Sequence, residues 1–181
     1  MKEIYIIIIN LLLLNCVSAQ GKFLTKDGYV SFFSHSVVED IKADNNQVLN
    51  IVDSETGEIA IQLLMRSFMF KKALMQEHFN ENYVESYKYP KATFSGKIMK
   101  FNELEELEGE TQIVGILTVH GREKEISARV NVEINKDEII LIGDFYVEVA
   151  DFDIKIPAIV ANNIAKTIKV NFELRHKPYK M

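Results

Sequence analysis

The sequence predicts an all-β domain of about eight or nine antiparallel strands, arranged as an up-and-down barrel or as a sandwich. Residues 126–134 and residues 168–175 support this most directly, because apolar and polar side chains alternate along both segments. A period of two is typical of a strand with one dry face and one wet face. Similar apolar runs recur along the chain between turn signals, and they account for most of it.

Residues 111–134 read as two strands joined by a tight turn. The first strand, residues 111–120, carries apolar side chains on both faces, so we expect its middle to be buried on both sides. Gly121 can take the positive φ that a tight hairpin requires, and the ring of His120 is expected to cap that hairpin.

The remaining strands are bounded by turn residues. Asp27-Gly28 is a strong hairpin signal between the first two runs, and Glu55-Thr56-Gly57 marks a later turn. The acidic segment 103–108 reads as a solvated loop. The predicted strands are residues 21–25, 29–35, 48–52, 58–67, 92–101, 111–120, 126–134, 138–149 and 164–175.

One segment breaks the β pattern. Leu74, Met75, His78 and Phe79 fall at helical spacing, which predicts one helix around residues 71–83, near one end of the sheet structure. A second helical turn is expected over residues 158–164.

The first residues are predicted to form a signal peptide rather than part of the fold. Lys2 precedes an apolar stretch over residues 4–14, and Val17-Ser18-Ala19 resembles a small-residue cleavage site. The stretch is shorter than the roughly 20 residues of a membrane span. We expect cleavage of residues 1–19 after Ala19, a single domain over residues 20–181, and a periplasmic or secreted protein. A lipoprotein anchored through Cys16, or a buried N-terminal element, is the alternative.

Composition limits the possible partners. Formal net charge is −5, which argues against nucleic acid or an anionic lipid surface as a partner. The single cysteine, Cys16, lies in the predicted signal peptide, so no disulfide is expected. No later segment is apolar enough to span a bilayer, and the sequence does not determine the oligomeric state.

Neither a catalytic constellation nor a metal site is recognisable. The 4 histidines lack the HxH or HxxxH spacing of paired ligands, and no nucleophile elbow or nucleotide-binding glycine loop occurs. We therefore predict no catalytic residue, no metal and no cofactor, and a protein that is not an enzyme. The histidines are His35, His78, His120 and His176.

Two residue pairs leave an enzymatic alternative open. His78 and Glu81 could share a face of the predicted helix, although a helix-end histidine that bonds a loop is the favoured explanation of His78. Asp151 and Asp153 share a face of an extended segment, although such a pair also suits a strand that ends at a bend.

Large apolar side chains are spread over most of the predicted strands. A packed core explains them, and such a filled protein would act as an adaptor through its outer face. A dry cavity for an apolar ligand explains them as well, because phenylalanine and methionine suit such linings.

Three segments occur together in this order: K-Y-P-K-A-T-F-S-G at residues 88–96, I-V-G-I-L-T-V-H-G-R-E-K-E-I at residues 113–126, and F-Y-V-E-V-A-D-F-D-I-K-I-P at residues 145–157. Together they resemble the YceI-like family of exported lipid-binding proteins. The segment E-H-F-N-E-N-Y around His78 departs from the family's usual pattern on both sides of that histidine.

The resemblance implies a lipocalin-like antiparallel barrel of about eight strands. Its lumen would hold a long isoprenoid chain, or a quinone as in some relatives. We therefore expect non-enzymatic binding, transport or sequestration of such a lipid. By position, the candidate lining residues are Phe79, Tyr83, Phe94, Ile98, Leu117 and Phe152.

Overall fold

The structure is a computed structural model that describes residues 21–35, 39–103, 109–135, 137–157 and 164–179. Eight long antiparallel strands close into a barrel, because β1 pairs with β9 on one side and with β2 on the other. The strands are β1 (Lys22–Ser34), β2 (Ile41–Asp53), β3 (Glu58–Leu64), β4 (Met69–Phe70), β5 (Lys91–Ile98), β6 (Gly109–Val119), β7 (Arg122–Ile134), β8 (Ile139–Glu148) and β9 (Thr167–Pro178). The short β4 lies outside the closed ring and pairs with the start of β2.

The predicted helix is present, but only its first half is α-helical. Helix α1 (Ala73–His78) continues into a π-helical turn over Phe79–Tyr83. In that turn the N–H of Val84 donates to the carbonyl oxygen of Phe79 at 2.9 Å, a spacing of five residues rather than four.

The alternation predicted for the strands is confirmed in β7 and β9. Ala128, Val130 and Val132 point inward and are buried, while their neighbours Ser127 and Arg129 are exposed. The expectation that the middle of β6 is covered on both faces is wrong. Ile116 is 41% exposed, because α1 packs beside β4 at the end of the barrel rather than against the outer wall of β6.

The hairpin predicted at Asp27-Gly28 is also wrong. Both residues lie inside the continuous strand β1, where the pairing with β2 shifts between Thr25 and Val30. A Cβ at position 28 would lie 2.6 Å from Cδ2 of Leu174, so the glycine permits a close approach between strands instead of a turn.

The start of β2 was missed because its sequence, K-A-D-N-N-Q, lacks apolar alternation. One tertiary and one local hydrogen bond of Asn45 stabilise it instead. Asn45 is fully buried, and its Nδ2 donates to the carbonyl oxygen of Leu64 at 3.2 Å. Its Oδ1 accepts from the N–H of Gln47 at 2.8 Å.

One end of the barrel is filled, and we call it the packed end. Its inward side chains come from the second halves of β2, β5, β7 and β9, from the first halves of β3 and β8, and from the turn that follows β5. All are nearly or wholly inaccessible to solvent. A buried polar pair, His176 and Asn50, lies among them. The apolar side chains of the packed end are Val48, Val52, Ile59, Ile98, Phe101, Val130, Val132, Ile139, Leu141 and Leu174.

Several predicted features lie outside the described residues. They are the signal peptide over residues 1–19, most of the acidic loop and most of the second helical turn. Within the described ranges, no helix has the length and apolar character needed to cross a membrane.

Candidate ligand-binding cavity

The opposite end of the barrel, which we call the cavity end, encloses a cavity of about 540 Å³. It lies between the last residues of β1, β3, β6 and β8 and the first residues of β2, β5, β7 and β9. Its lining is almost entirely apolar, and its volume falls within the range of roughly 300–1,000 Å³ that is usual for small-molecule sites.

The strands supply the wall of the cavity through their inward positions. On β5 and β6, Phe94 and Leu117 are paired neighbours and both face the cavity. Ala92 and Ala128 also face it, and their small side chains leave room that a larger residue would fill. Because successive side chains alternate between the two faces of a strand, the same pattern that closes the barrel also makes its interior apolar.

Four phenylalanines from different elements meet beside α1. Phe79 lies 5.0 Å from Phe70 and 5.4 Å from Phe32 between ring centroids, and Phe68 lies 5.2 Å from Phe32. Aromatic pairs at such distances stabilise one another beyond their simple burial. This Phe cluster (Phe32, Phe68, Phe70 and Phe79) therefore attaches the end of α1 to the barrel and forms one side of the cavity.

Two long connections complete the enclosure. The connection from β3 to β5 contributes α1, the π-helical turn and the buried residues Met65 and Val84. The connection from β8 to β9 contributes Phe152, which is 2% exposed, followed by Ile154 and Ile156.

Charged side chains border the cavity where α1 begins and ends. Nζ of Lys72 forms an ion pair of 2.6 Å with Glu39, and both side chains are about half exposed. The exposed His78 also borders the cavity, but no hydrogen bond joins it to Glu81 among the described contacts. The geometry therefore gives no pairing that would support the enzymatic alternative at this helix.

Asp151 and Asp153 are not paired with each other. Asp151 forms an ion pair with Lys124 at 3.1 Å, and Asp153 forms one with Arg122 at 3.1 Å. The hydrogen bond and the charge of Arg122 lower the pKa of Asp153. A carboxyl group held in the ionised form in this way is a poor proton donor.

The hydrogen bonds described for the ring of His120 lie outside its own hairpin, so the expected hairpin cap is not what positions it. The turn between β6 and β7 has positive φ at both His120 and Gly121, as a tight two-residue hairpin requires. The imidazole ring, however, bonds to Glu85 and to the backbone of Phe152, on the two connections that enclose the cavity.

Five of the six residues predicted to contact the ligand lie on the cavity wall, and contact with a ligand remains a prediction for all of them. They are Phe79, Tyr83, Phe94, Leu117 and Phe152. The sixth, Ile98, is fully buried in the packed end and does not line the cavity. Phe32, Phe68 and Phe70 also line the cavity. They belong to the large apolar side chains noted in the sequence but not to the six candidates, although the alternation of β1 and the aromatic residues at 68 and 70 could have singled them out.

Within the described ranges, no group of three or more histidine, cysteine, aspartate or glutamate side chains is arranged to hold a metal ion.

Comparison with known proteins agrees with this architecture. A domain from Saccharophagus degradans, described as a polyisoprenoid binding domain implicated in plant cell wall breakdown, superposes with a TM-score of 0.74 and 15% identity, covering 88% of this chain and 99% of that one. BcnA from Burkholderia cenocepacia superposes with a TM-score of 0.70 and 16% identity, covering 82% of this chain and 95% of that one. The YceI protein of Campylobacter jejuni superposes with a TM-score of 0.63 and 17% identity, covering 81% of this chain and 90% of that one.

At these identities the solved structures establish a shared fold. No curated protein matches the chain. A sequence family described as the YceI-like domain matches residues 18–176, which is most of the chain. The chain therefore belongs to the YceI-like domain family.

Proposed function

We propose that this chain binds one apolar, isoprenoid-type lipid in the cavity end of its barrel. The observation that carries the proposal is a cavity of about 540 Å³ lined almost wholly by aliphatic and aromatic side chains. The similar domain from Saccharophagus degradans is described as polyisoprenoid binding, which supports this class of ligand.

The physical driving force is burial of hydrocarbon. Each CH₂ group transferred from water contributes ~0.8 kcal/mol, so a forty-carbon chain would nominally gain ~30 kcal/mol. Observed affinities do not exceed about 20 kcal/mol, because ordering a flexible chain offsets much of the gain. With so few polar groups on the wall, shape and length select the ligand, and the packed end limits how deeply a chain can enter.

The finer aspects of the function are part of the same proposal. The protein is exported to the periplasm or secreted after loss of residues 1–19, and it carries or sequesters its lipid without chemical conversion. A quinone with an isoprenoid tail is one such ligand, with its ring near the border formed by Lys72, Glu39 and His78. Sequencing the N-terminus of the protein recovered from the producing cells tests export, because processing should expose Gln20.

Ligand binding is tested by extracting the protein with organic solvent after purification without detergent, followed by mass spectrometry. The expected result is a stoichiometric isoprenoid lipid. Delipidated protein that also fails to take up a dansyl-labelled farnesyl probe would contradict the proposal.

A variant that fills the cavity makes the test specific. Ala128→Phe places a ring into the cavity from β7 and should reduce probe affinity at least tenfold. Ser127→Phe adds the same ring to the exposed face one residue away and should leave the affinity unchanged. Equal affinities in the two variants would place the probe elsewhere.

A further inference from the structure

His120 links the two connections that enclose the cavity. Its Nε2 lies 2.8 Å from Oε2 of Glu85, on the connection from β3 to β5, and its Nδ1 lies 3.0 Å from the carbonyl oxygen of Phe152, on the connection from β8 to β9. Glu85 directly follows the lining residue Val84, and Phe152 itself lines the cavity. One ring therefore bridges two separate parts of the cavity wall.

The ring is held in a defined position. Its side chain is 10% exposed, whereas that of Glu85 is 45% exposed. The ring of Tyr89 packs edge-on against it, with 4.4 Å between centroids. This packing restrains the imidazole, so it cannot easily turn away to satisfy one nitrogen with water.

Other charged groups surround the ring on each element. Arg122 and Lys124 follow it on β7 and form ion pairs with Asp153 and Asp151, respectively. Lys88 lies over the ring of Tyr89, with its Nζ 4.8 Å from the ring centroid. Among these groups, Glu85 is the carboxylate that bonds the imidazole directly.

The chemistry of the two partners decides which form of the ring fits. A carbonyl oxygen and a carboxylate oxygen both only accept hydrogen bonds, so both ring nitrogens must donate. Only the imidazolium cation carries both N–H groups. A neutral ring satisfies one partner and directs a lone pair at an oxygen of the other, which converts an attractive contact into a repulsive one.

We propose that His120 is a positioning residue of the cavity, whose protonated ring fastens the two connections together and whose deprotonation releases them. This inference rests on the proposed lipid binding and adds a control on lipid exchange. Histidine is the side chain whose charge ordinarily changes between pH 5 and 8. Exchange is therefore slow on the acidic side of that range and faster on the alkaline side.

The rate of probe release tests the proposal. Protein loaded with the dansyl-labelled farnesyl probe is mixed with excess phosphatidylcholine vesicles, and loss of probe fluorescence is followed at pH 5.5 and pH 8.5. Loss of one charge-assisted hydrogen bond predicts release roughly tenfold faster at pH 8.5. Equal rates at the two pH values would overturn the proposal.

Two variants and one control locate the effect. Glu85→Gln should abolish the pH dependence, because an amide can accept from an N–H or donate to a bare ring nitrogen. His120→Phe should release the probe quickly at both pH values. His35→Gln removes the exposed histidine that bonds Asp40 at 2.7 Å and should keep the wild-type profile. A wild-type pH profile in Glu85→Gln would overturn the proposal even if His120→Phe does not fold.

A readout without lipid separates this proposal from the previous one. The N–H of Tyr89 donates to the Glu85 carbonyl at 2.9 Å, and that of Asp153 donates to the Ala150 carbonyl at 3.1 Å. The hydrogen-exchange protection factors of both amides should fall together, several-fold, as the ring loses its proton. If the protection of both amides falls together but no probe binds, lipid binding is refuted and the fastening role of His120 stands. If the protection of both amides does not depend on pH, the fastening role is refuted.

Discussion

The packed end and the cavity end are built from the same eight strands but fill their interiors differently. At the packed end, Val52, Leu141 and Leu174 are completely inaccessible to solvent. At the cavity end, Leu117 and Phe145 occupy equivalent inward positions, yet both remain partly accessible. The alternation of apolar residues is the same in the two regions. The difference in solvent accessibility therefore arises from which side chains lie opposite one another across the barrel.

The two ends therefore contribute unequally to the stability of the barrel. The packed end supplies the burial that holds the barrel closed, and at the cavity end the barrel can leave volume unfilled because stability is supplied elsewhere. Large-to-small substitutions in a close-packed interior cost transfer energy plus the energy of a new cavity. Beside an existing cavity, the native protein already lacks those packing contacts, so the same substitution adds little cavity energy.

The largest expected effect separates the two ends directly. Leu141→Ala should lower the free energy of unfolding by ~2–5 kcal/mol, whereas Leu117→Ala should lower it by less than ~1.5 kcal/mol. Urea denaturation of delipidated protein measures both values. Ile142→Ala is the matched control on the outer face of β8, where Ile142 is 40% exposed, and should change little. Equal losses for Leu141→Ala and Leu117→Ala would mean that both ends are equally packed.

The second prediction concerns the polar pair in the packed end. Nδ1 of His176 donates to the carbonyl oxygen of Ile139 at 2.8 Å, and its Nε2 contacts the side-chain amide of Asn50, which can donate to a neutral ring. Burial lowers the pKa of His176 to about 4. The unfolded chain therefore binds more protons than the folded chain between about pH 6.5 and 4. Stability should fall across this window as the pH is lowered, by up to ~3 kcal/mol.

The measurement is urea denaturation from pH 7 to pH 4. His176→Leu should flatten the dependence on pH, although it also removes hydrogen bonds and lowers stability at neutral pH. His78→Gln, a change of an exposed histidine at the cavity end, should keep the wild-type slope. An unchanged slope in His176→Leu would assign the acid sensitivity to other groups.

The same contrast shows how much the sequence could predict. Alternation correctly identified the inward faces of β7 and β9, because a period of two is a local property of a strand. Phe94 and Ile98 were both placed inward on β5, but four residues separate them by ~13 Å along the strand. Sequence gives the face of a side chain and not its depth, so it could not separate a cavity residue from a packed one.

Other misses have tertiary causes. The polar start of β2 is stabilised by the buried amide of Asn45, whose partner Leu64 belongs to another strand. In sequence, Gly28 is typical of a turn, but in the structure it lets Leu174 of β9 pack closely against β1. The double contact of His120 joins residues more than thirty positions away on either side, which no local pattern reveals.

The smallest expected effect tests whether the cavity end opens by itself. Phe79→Leu removes the ring that contacts the other members of the Phe cluster but keeps an apolar side chain, so the local cost should be about 1 kcal/mol. The Val84 amide, which donates to the carbonyl oxygen of Phe79, should then lose roughly fivefold in hydrogen-exchange protection. The global free energy of unfolding should fall by about the same 1 kcal/mol, because complete unfolding breaks these ring contacts as well.

The control for this substitution is Phe145→Leu, which alters a cavity-facing ring whose aromatic contact is Phe172, at 6.4 Å on β9. It should leave the protection of the Val84 amide unchanged, because Phe145 does not belong to the Phe cluster. A loss of global stability in Phe79→Leu as large as that in Leu141→Ala would mean that α1 and the packed end unfold as one unit. The cavity end would then be as structurally essential as the packed end, and a lipid could enter only by transient unfolding of the whole barrel.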